Sequence, residues 1–240
     1  EANIDKIYEK NIDLSEHKLS NTTQITMVVL WQNQYGFKYF ENIDGHDFKE
    51  LIKYLNVAKN SNKSIVLHVK TRKGKGYLPA EEDNTGKWHG VPAFNIENGE
   101  FLKKQNRPTY GEIIGKQLCE YAKGNNGNLL RVICPAMALG TGIESFQKDF
   151  SNQFIDIGIA EENGAVMASS MAIMGLKPVY FVYATFLQRA YDEIIHDIAR
   201  INAHVVFCVD HAGLVPTDGD THQGIYDLAM YSSIPGLTIL

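Results

Sequence analysis

Hydrophobic and polar positions follow two regimes along this chain. From residue 108 onward, short apolar runs rich in β-branched and aromatic residues alternate with stretches whose apolar residues fall at helical spacing. The predicted strands are Leu129-Leu130-Arg131-Val132-Ile133-Cys134, 154–159, 178–183 and 205–209, with a last one at 237–240. Pro108-Thr109-Tyr110-Gly111 opens a helix carrying Ile113, Ile114, Leu118 and Tyr121. Further helices are expected near 142–150, 162–174 and 187–202, the last with Ala190, Ile194, Ile195 and Ile198 on one face. Apolar strands alternating with helices define an α/β fold, a parallel sheet covered on both faces.

Before residue 108 the pattern is weaker. Residues 1–28 mix Lys, Glu, Asn and Ser with few apolar positions and read as a loop or insertion. Residues 47–59 carry Leu51, Ile52, Leu55 and Val57 and predict a helix, and Ser64-Ile65-Val66-Leu67-His68-Val69-Lys70 a strand. Residues 29–70 are thus the end of a first domain, and the Gly-, Lys-, Asn- and Pro-rich 71–107 has a linker's composition. Residues 108–240 make most of a second domain. The start at Glu1, without methionine, and the final strand with no helix after it lead us to expect an incomplete sheet.

Composition narrows the function classes. The 240 residues are 44% hydrophobic and 21% charged, with a formal charge of −5. Opposite charges are interleaved, so no basic face suggests nucleic acid or an anionic membrane. No apolar run approaches the roughly 18 residues of a membrane span. Cys119, Cys134 and Cys208 lack metal or redox spacing, and a reducing compartment is the inference.

In an open parallel sheet, ligands bind beyond the carboxyl ends of the strands, so chemistry is sought there. Glu161 follows one predicted strand, in Ile159-Ala160-Glu161-Glu162-Asn163. Its spacing alone fits a carboxylate favoured by a helix N-terminus as well as a catalytic group. Tyr183, Phe186 and Arg189 lie at or past the end of the next strand, and the polar stretch from Asp210-His211-Ala212-Gly213 through Asp218-Gly219-Asp220-Thr221-His222-Gln223-Gly224 follows the one after. Asp218-Gly219-Asp220 invites a calcium or magnesium reading but lacks the other ligands of an EF-hand loop. Thr71-Arg72-Lys73-Gly74-Lys75-Gly76-Tyr77, with Lys87-Trp88-His89-Gly90-Val91-Pro92, could approach a phosphate, though it is no Walker sequence.

Together, Ile43-Asp44-Gly45-His46-Asp47, Lys73-Gly74-Lys75-Gly76-Tyr77, Pro135-Ala136-Met137, Ile159-Ala160-Glu161, Thr185 through Asp192 and Asp218 through Gly224 resemble the 1-deoxy-D-xylulose-5-phosphate synthases, a branch of the transketolase-like thiamine diphosphate enzymes. The resemblance spans residues 30–240. It implies condensation of pyruvate with D-glyceraldehyde 3-phosphate, thiamine diphosphate and Mg2+ as cofactors, and a homodimer when complete. It makes Glu161 the carboxylate that activates the cofactor. Phe186 and Met137 would contact the cofactor, and the further catalytic residues would be His89, near the reacting carbon, and His222, which would orient donor or acceptor groups. Tyr183, Arg189, His211 and Asp218 would meet substrate.

The departures are specific. The family continues Ala-Glu with Gln-His, where Glu162 and Asn163 stand here, and has an arginine in place of His211. Ala138 and Leu139 replace a charged pair. The Gly-Asp-Gly motif that holds diphosphate and magnesium in the family is absent, so those ligands should lie outside this chain and the piece alone should be inactive. A non-catalytic relative serving as an interaction module is the alternative. Asn- and Lys-rich loops such as Asn60-Ser61-Asn62-Lys63 suggest an AT-rich genome, hence a plastid-type organelle (apicoplast) or the bacterial cytoplasm.

Overall fold

The computed structural model describes residues 36–83, 86–102, 107–216 and 218–240; the loop expected over 1–28 lies outside them. The chain divides after Asp83 into two compact units.

In the first unit, β1 (Lys38–Asp44) pairs in parallel with β2 (Ile65–Lys70), joined by α1 (Phe48–Lys59). Asp47 caps α1 by accepting from the Lys49 and Glu50 amides, satisfying donors that a helix leaves open at its start. Gly45 is required by contact: a Cβ there would meet Thr71 Cγ2 at 2.6 Å and Val69 Cγ1 at 2.7 Å. His46 Nε2 accepts from the Arg72 amide at 2.7 Å. Gly45, His46 and Asp47 of the 43–47 motif thus each make a local structural contact. A short helix, α2 (Leu78–Glu81), follows. Its Glu81 accepts from the Gly76 amide at 2.7 Å and pairs with Arg72 at 3.1 Å.

The second unit opens with 86–102, where Trp88 is buried against Phe94 and Phe101 with ring centroids 4.9 and 5.6 Å apart. This packed knot sits in a stretch whose composition reads as linker. Next come α3 (Tyr110–Ala122), β3 (Leu130–Cys134), α4 (Glu144–Asp149), β4 (Phe154–Asp156), α5 (Glu161–Ile173), β5 (Lys177–Tyr183) and α6 (Ala184–Leu187). The chain continues through a 3-10 turn and one helical turn into a π-helix (Ile194–Ala199), then β6 (Val206–Asp210) and α7 (Asp227–Tyr231). Strand order is β4-β3-β5-β6, all parallel.

Side chains on β5 alternate between two cores, as a period of two demands. Tyr180 and Val182 join Ala165, Ala168, Leu187, Ile194 and Ile198 on one face; Val179 and Phe181 join Cys119, Ile143 and Phe146 on the other. Each fully buried side chain of this size contributes about 1.5–3 kcal/mol.

Four expectations change. The strand predicted over 154–159 stops at Asp156, because that side chain turns to bind loop amides. The helix predicted over 187–202 is segmented. α3 buries Gly111, Gly115 and Cys119 rather than Ile113 and Ile114, because its glycines press onto the backbone of Thr141 and Gly142. Residues 237–240 form no strand, having no ladder of backbone hydrogen bonds.

Candidate active site

All four strands of the second sheet point the same way, so their carboxyl ends share one edge. β3 is followed by α4, which packs on one core, and β5 by α6, which packs on the other. Connections diverging to opposite faces open a crevice between β3 and β5.

Glu161 begins α5 after the β4 exit. Asp156 Oδ1 sets that exit by accepting from the Ala136 amide at 3.0 Å and the Gly158 amide at 2.9 Å, tying the loops of β3 and β4 to one carboxylate. The Tyr180 hydroxyl, rising from β5, donates to the Glu161 backbone oxygen at 2.9 Å. Gly164 lets the helix come this close. Glu161 is only 2% exposed, and its Oε2 has no hydrogen-bond partner; Arg189 Nη1 approaches to 3.8 Å. A buried carboxylate oxygen without a donor costs more than about 1 kcal/mol. The helix N-terminus and Arg189 offset part of that, and a ligand N–H would complete it. Glu162, by contrast, is exposed, so the adjacent carboxylates do not share one environment.

The next strand end gathers an aromatic group. Tyr183 stacks on Phe186 (5.9 Å, 13°) and on His211 (3.8 Å, 19°). His222 stands edge-on to both Tyr183 and Phe186, at 6.2 and 5.3 Å. Burial pushes the Tyr183 phenol up to about 12, with Asp210 and Asp218 adding to it. Gly140 leaves room for that hydroxyl, which a Cβ would strike. The loop after β6 is clasped by Gln223, which accepts from the Val215 amide at 2.7 Å and donates to the Val215 and Gly219 carbonyls, each at 3.0 Å. Gly213 and Gly224 close its base with paired bonds of 2.8 and 2.9 Å. His211 Nδ1 and Nε2 lie 3.1 Å from Asp210 and Asp218, respectively.

The structure thus joins Tyr183, Phe186, His211, Asp218 and His222 in one set of contacts, and Glu161 with Arg189 in another. Met137 is half-buried at the β3 exit, packed against both cores. His89 is exposed on a turn in which its amide donates to Gly86 O at 2.9 Å. Ala138 is buried in the core, which accounts for an apolar residue there. Sequence reasoning singled out neither Asp156 nor the Tyr180 hydroxyl, and gave Asp210 and Gln223, though in a candidate stretch, no role of their own. A polar residue closing a strand was the available signal for the two aspartates; nothing marked the Tyr180 hydroxyl.

Among the described residues no group of three or more His, Cys, Asp or Glu is placed to hold a metal, Asp218 and Asp220 included. No helix among them is long and apolar enough to cross a membrane.

A parallel sheet with a buried, incompletely bonded carboxylate and an aromatic group beyond its carboxyl edge has the arrangement of a ligand-binding α/β domain. Residues 106–240 match the family model described as the transketolase pyrimidine binding domain, and the chain belongs to that family. Residues 2–71 match a second model, described as 1-deoxy-D-xylulose-5-phosphate synthase. Curated proteins of that name are similar: one from Shouchella clausii is 41% identical over 96% of this chain and 36% of its own length. Those from Lysinibacillus sphaericus and Listeria welshimeri are 45% and 40% identical, over 85% and 99% of this chain and 32% and 38% of theirs. The chain therefore spans about a third of the length of these relatives. Its transketolase-like α/β fold is as the sequence led us to expect.

Proposed function

We propose that this chain supplies the pyrimidine side of a thiamine diphosphate site in an enzyme that condenses pyruvate with D-glyceraldehyde 3-phosphate, giving 1-deoxy-D-xylulose 5-phosphate and carbon dioxide for isoprenoid synthesis. The observation that carries the reading is Glu161: a buried carboxylate oxygen without a donor, at the head of a helix. The relatives' names support the substrates.

The residues fit such a cofactor. Glu161 Oε2 would hold a proton on the pyrimidine ring nitrogen, a hydrogen bond that only a buried, fixed acceptor keeps aligned. Phe186 offers a ring face, and Met137, half-buried at the β3 exit, an adaptable thioether. Thiamine diphosphate supplies, when bound, the carbon that takes the two-carbon unit from pyruvate. Tyr183 and Arg189 would line the donor side, and His89 and His222 would move protons near the reacting carbon. Asp218 and His211 belong to the acceptor side. Ligands for diphosphate and Mg2+ would come from residues outside this chain, so the piece alone would be inactive.

In this reading 29–70 end a first domain, 71–107 link, and 108–240 form most of the second; the complete protein is a homodimer. The Shouchella, Lysinibacillus and Listeria relatives are bacterial, which supports the bacterial cytoplasm over an apicoplast. Their names also weigh against a non-catalytic module. The test is to incubate the complete protein with thiamine diphosphate, Mg2+, pyruvate and D-glyceraldehyde 3-phosphate, and to identify the product by mass spectrometry. The reading expects a five-carbon sugar phosphate formed only with both substrates; consumption of neither would refute it.

A further inference from the structure

His211 adopts a left-handed backbone conformation (φ 55) that bulky residues seldom hold. Its surroundings over-determine it. The ring lies flat on Tyr183, centroids 3.8 Å apart, and the side chain is 18% exposed. Nδ1 lies 3.1 Å from Asp210 Oδ1, and Nε2 lies 3.1 Å from Asp218 Oδ2. The backbone amide donates to the same Asp210 oxygen at 2.6 Å. His222 meets Tyr183 and Phe186 edge-on.

An imidazole has two ring nitrogens, and both are turned to carboxylates here. Neither is left for substrate, and an anion approaching the ring would meet two negative groups first. An arginine fork would keep donors to spare at such a place. What the ring does achieve is to tie Asp218, in the middle of the loop, to the loop's root at the end of β6. With Oδ2 engaged by His211, Oδ1 is the Asp218 oxygen that a substrate hydroxyl would meet.

The geometry points to His211 as a positioning residue for the acceptor aldehyde, one that rests on Tyr183 and acts through Asp218 without touching substrate. This rests on the reaction proposed above. The proposal is that the clamp fixes the Asp218 carboxylate and the 211–224 loop, and that Asp218 binds the acceptor.

The test compares His211→Phe, which keeps a ring on Tyr183 but removes both nitrogens, with Asp218→Asn and the double variant, all in the complete protein. Each single change should raise the KM for D-glyceraldehyde 3-phosphate about tenfold, as for loss of one charge-assisted contact, and leave the KM for pyruvate unmoved. The double variant should be no worse than the poorer single one, because both break the same link. Independently of turnover, amide exchange at Gly213, Val215 and Gly224 should quicken in both single variants of the resting protein. If the two effects multiply in the double variant, or if Asp218→Asn leaves acceptor KM and loop exchange as they were, His211 touches substrate itself and the proposal falls. Absence of any turnover by the unmodified protein would sink the reaction instead, and the exchange rates would still decide the clamp.

Discussion

The Tyr180 hydroxyl donates to the backbone oxygen of Glu161 at 2.9 Å, so a buried side chain of β5 sets the height of the first turn of α5. The tyrosine is fully buried, and burial with the Glu161 charge beside it drives its phenol far above the usual range, leaving it a neutral donor at all working pH values. Tyr180→Phe removes the second bond to a carbonyl that keeps its helical partner. The expected loss is about 0.5–1.5 kcal/mol, read as a lower unfolding midpoint, together with reduced turnover as Glu161 loses its placement.

Gly164 is the second support of that turn. A Cβ there would meet Ile157 Cδ1 at 2.5 Å and the Tyr180 hydroxyl at 2.6 Å. Gly164→Ala gains about 1 kcal/mol of helix propensity but meets an overpacking penalty of about 1–3 kcal/mol, so net destabilisation is expected. Glu162→Gln, in the same turn but exposed, should stay within about 0.5 kcal/mol of the parent. Thermal midpoints of the two variants, measured side by side, check the contrast.

Alkaline behaviour follows from burial. Desolvation pushes the thiols of Cys134 and Cys208 from an ordinary 9.0 up to about 11, and the Tyr183 phenol from 10.0 up to about 12. The folded state therefore holds these protons more tightly than the unfolded chain does. Their stabilising effect is whole below pH 9.0 and is lost as pH climbs through about 11 for the thiols and about 12 for Tyr183. Stability should fall over that window, and alkylation of both cysteines at neutral pH should be far slower than for a free thiol. Rapid labelling of the folded protein at neutral pH would contradict this.

Parts of this fold were legible because burial writes itself into composition. β5 is covered on both faces, so 177–183 reads as an apolar run, whereas β1 could not be read: Lys38–Asp44 mixes polar residues and is bulged between Phe40 and Ile43, with Asn42 at φ 61. The face of α3 was misjudged because close backbone approach selects glycine, a residue that hydrophobic periodicity does not count. Spacing alone left Glu161 open between a helix-start carboxylate and a catalyst; its motif neighbours tipped the reading. The tertiary contacts that hold it, from Tyr180 and Asp156, span sequence separations that no local pattern records.

The most direct measurement is turnover of pyruvate and D-glyceraldehyde 3-phosphate by the complete protein carrying Glu161→Gln, with saturating thiamine diphosphate and Mg2+. The substituted amide would keep the shape of the side chain but lose the anionic acceptor that Oε2 provides. A fall of roughly 10²–10⁴-fold in kcat is predicted, the usual contribution of a positioned proton-handling group. Undiminished kcat in a folded variant would contradict the assignment of Glu161.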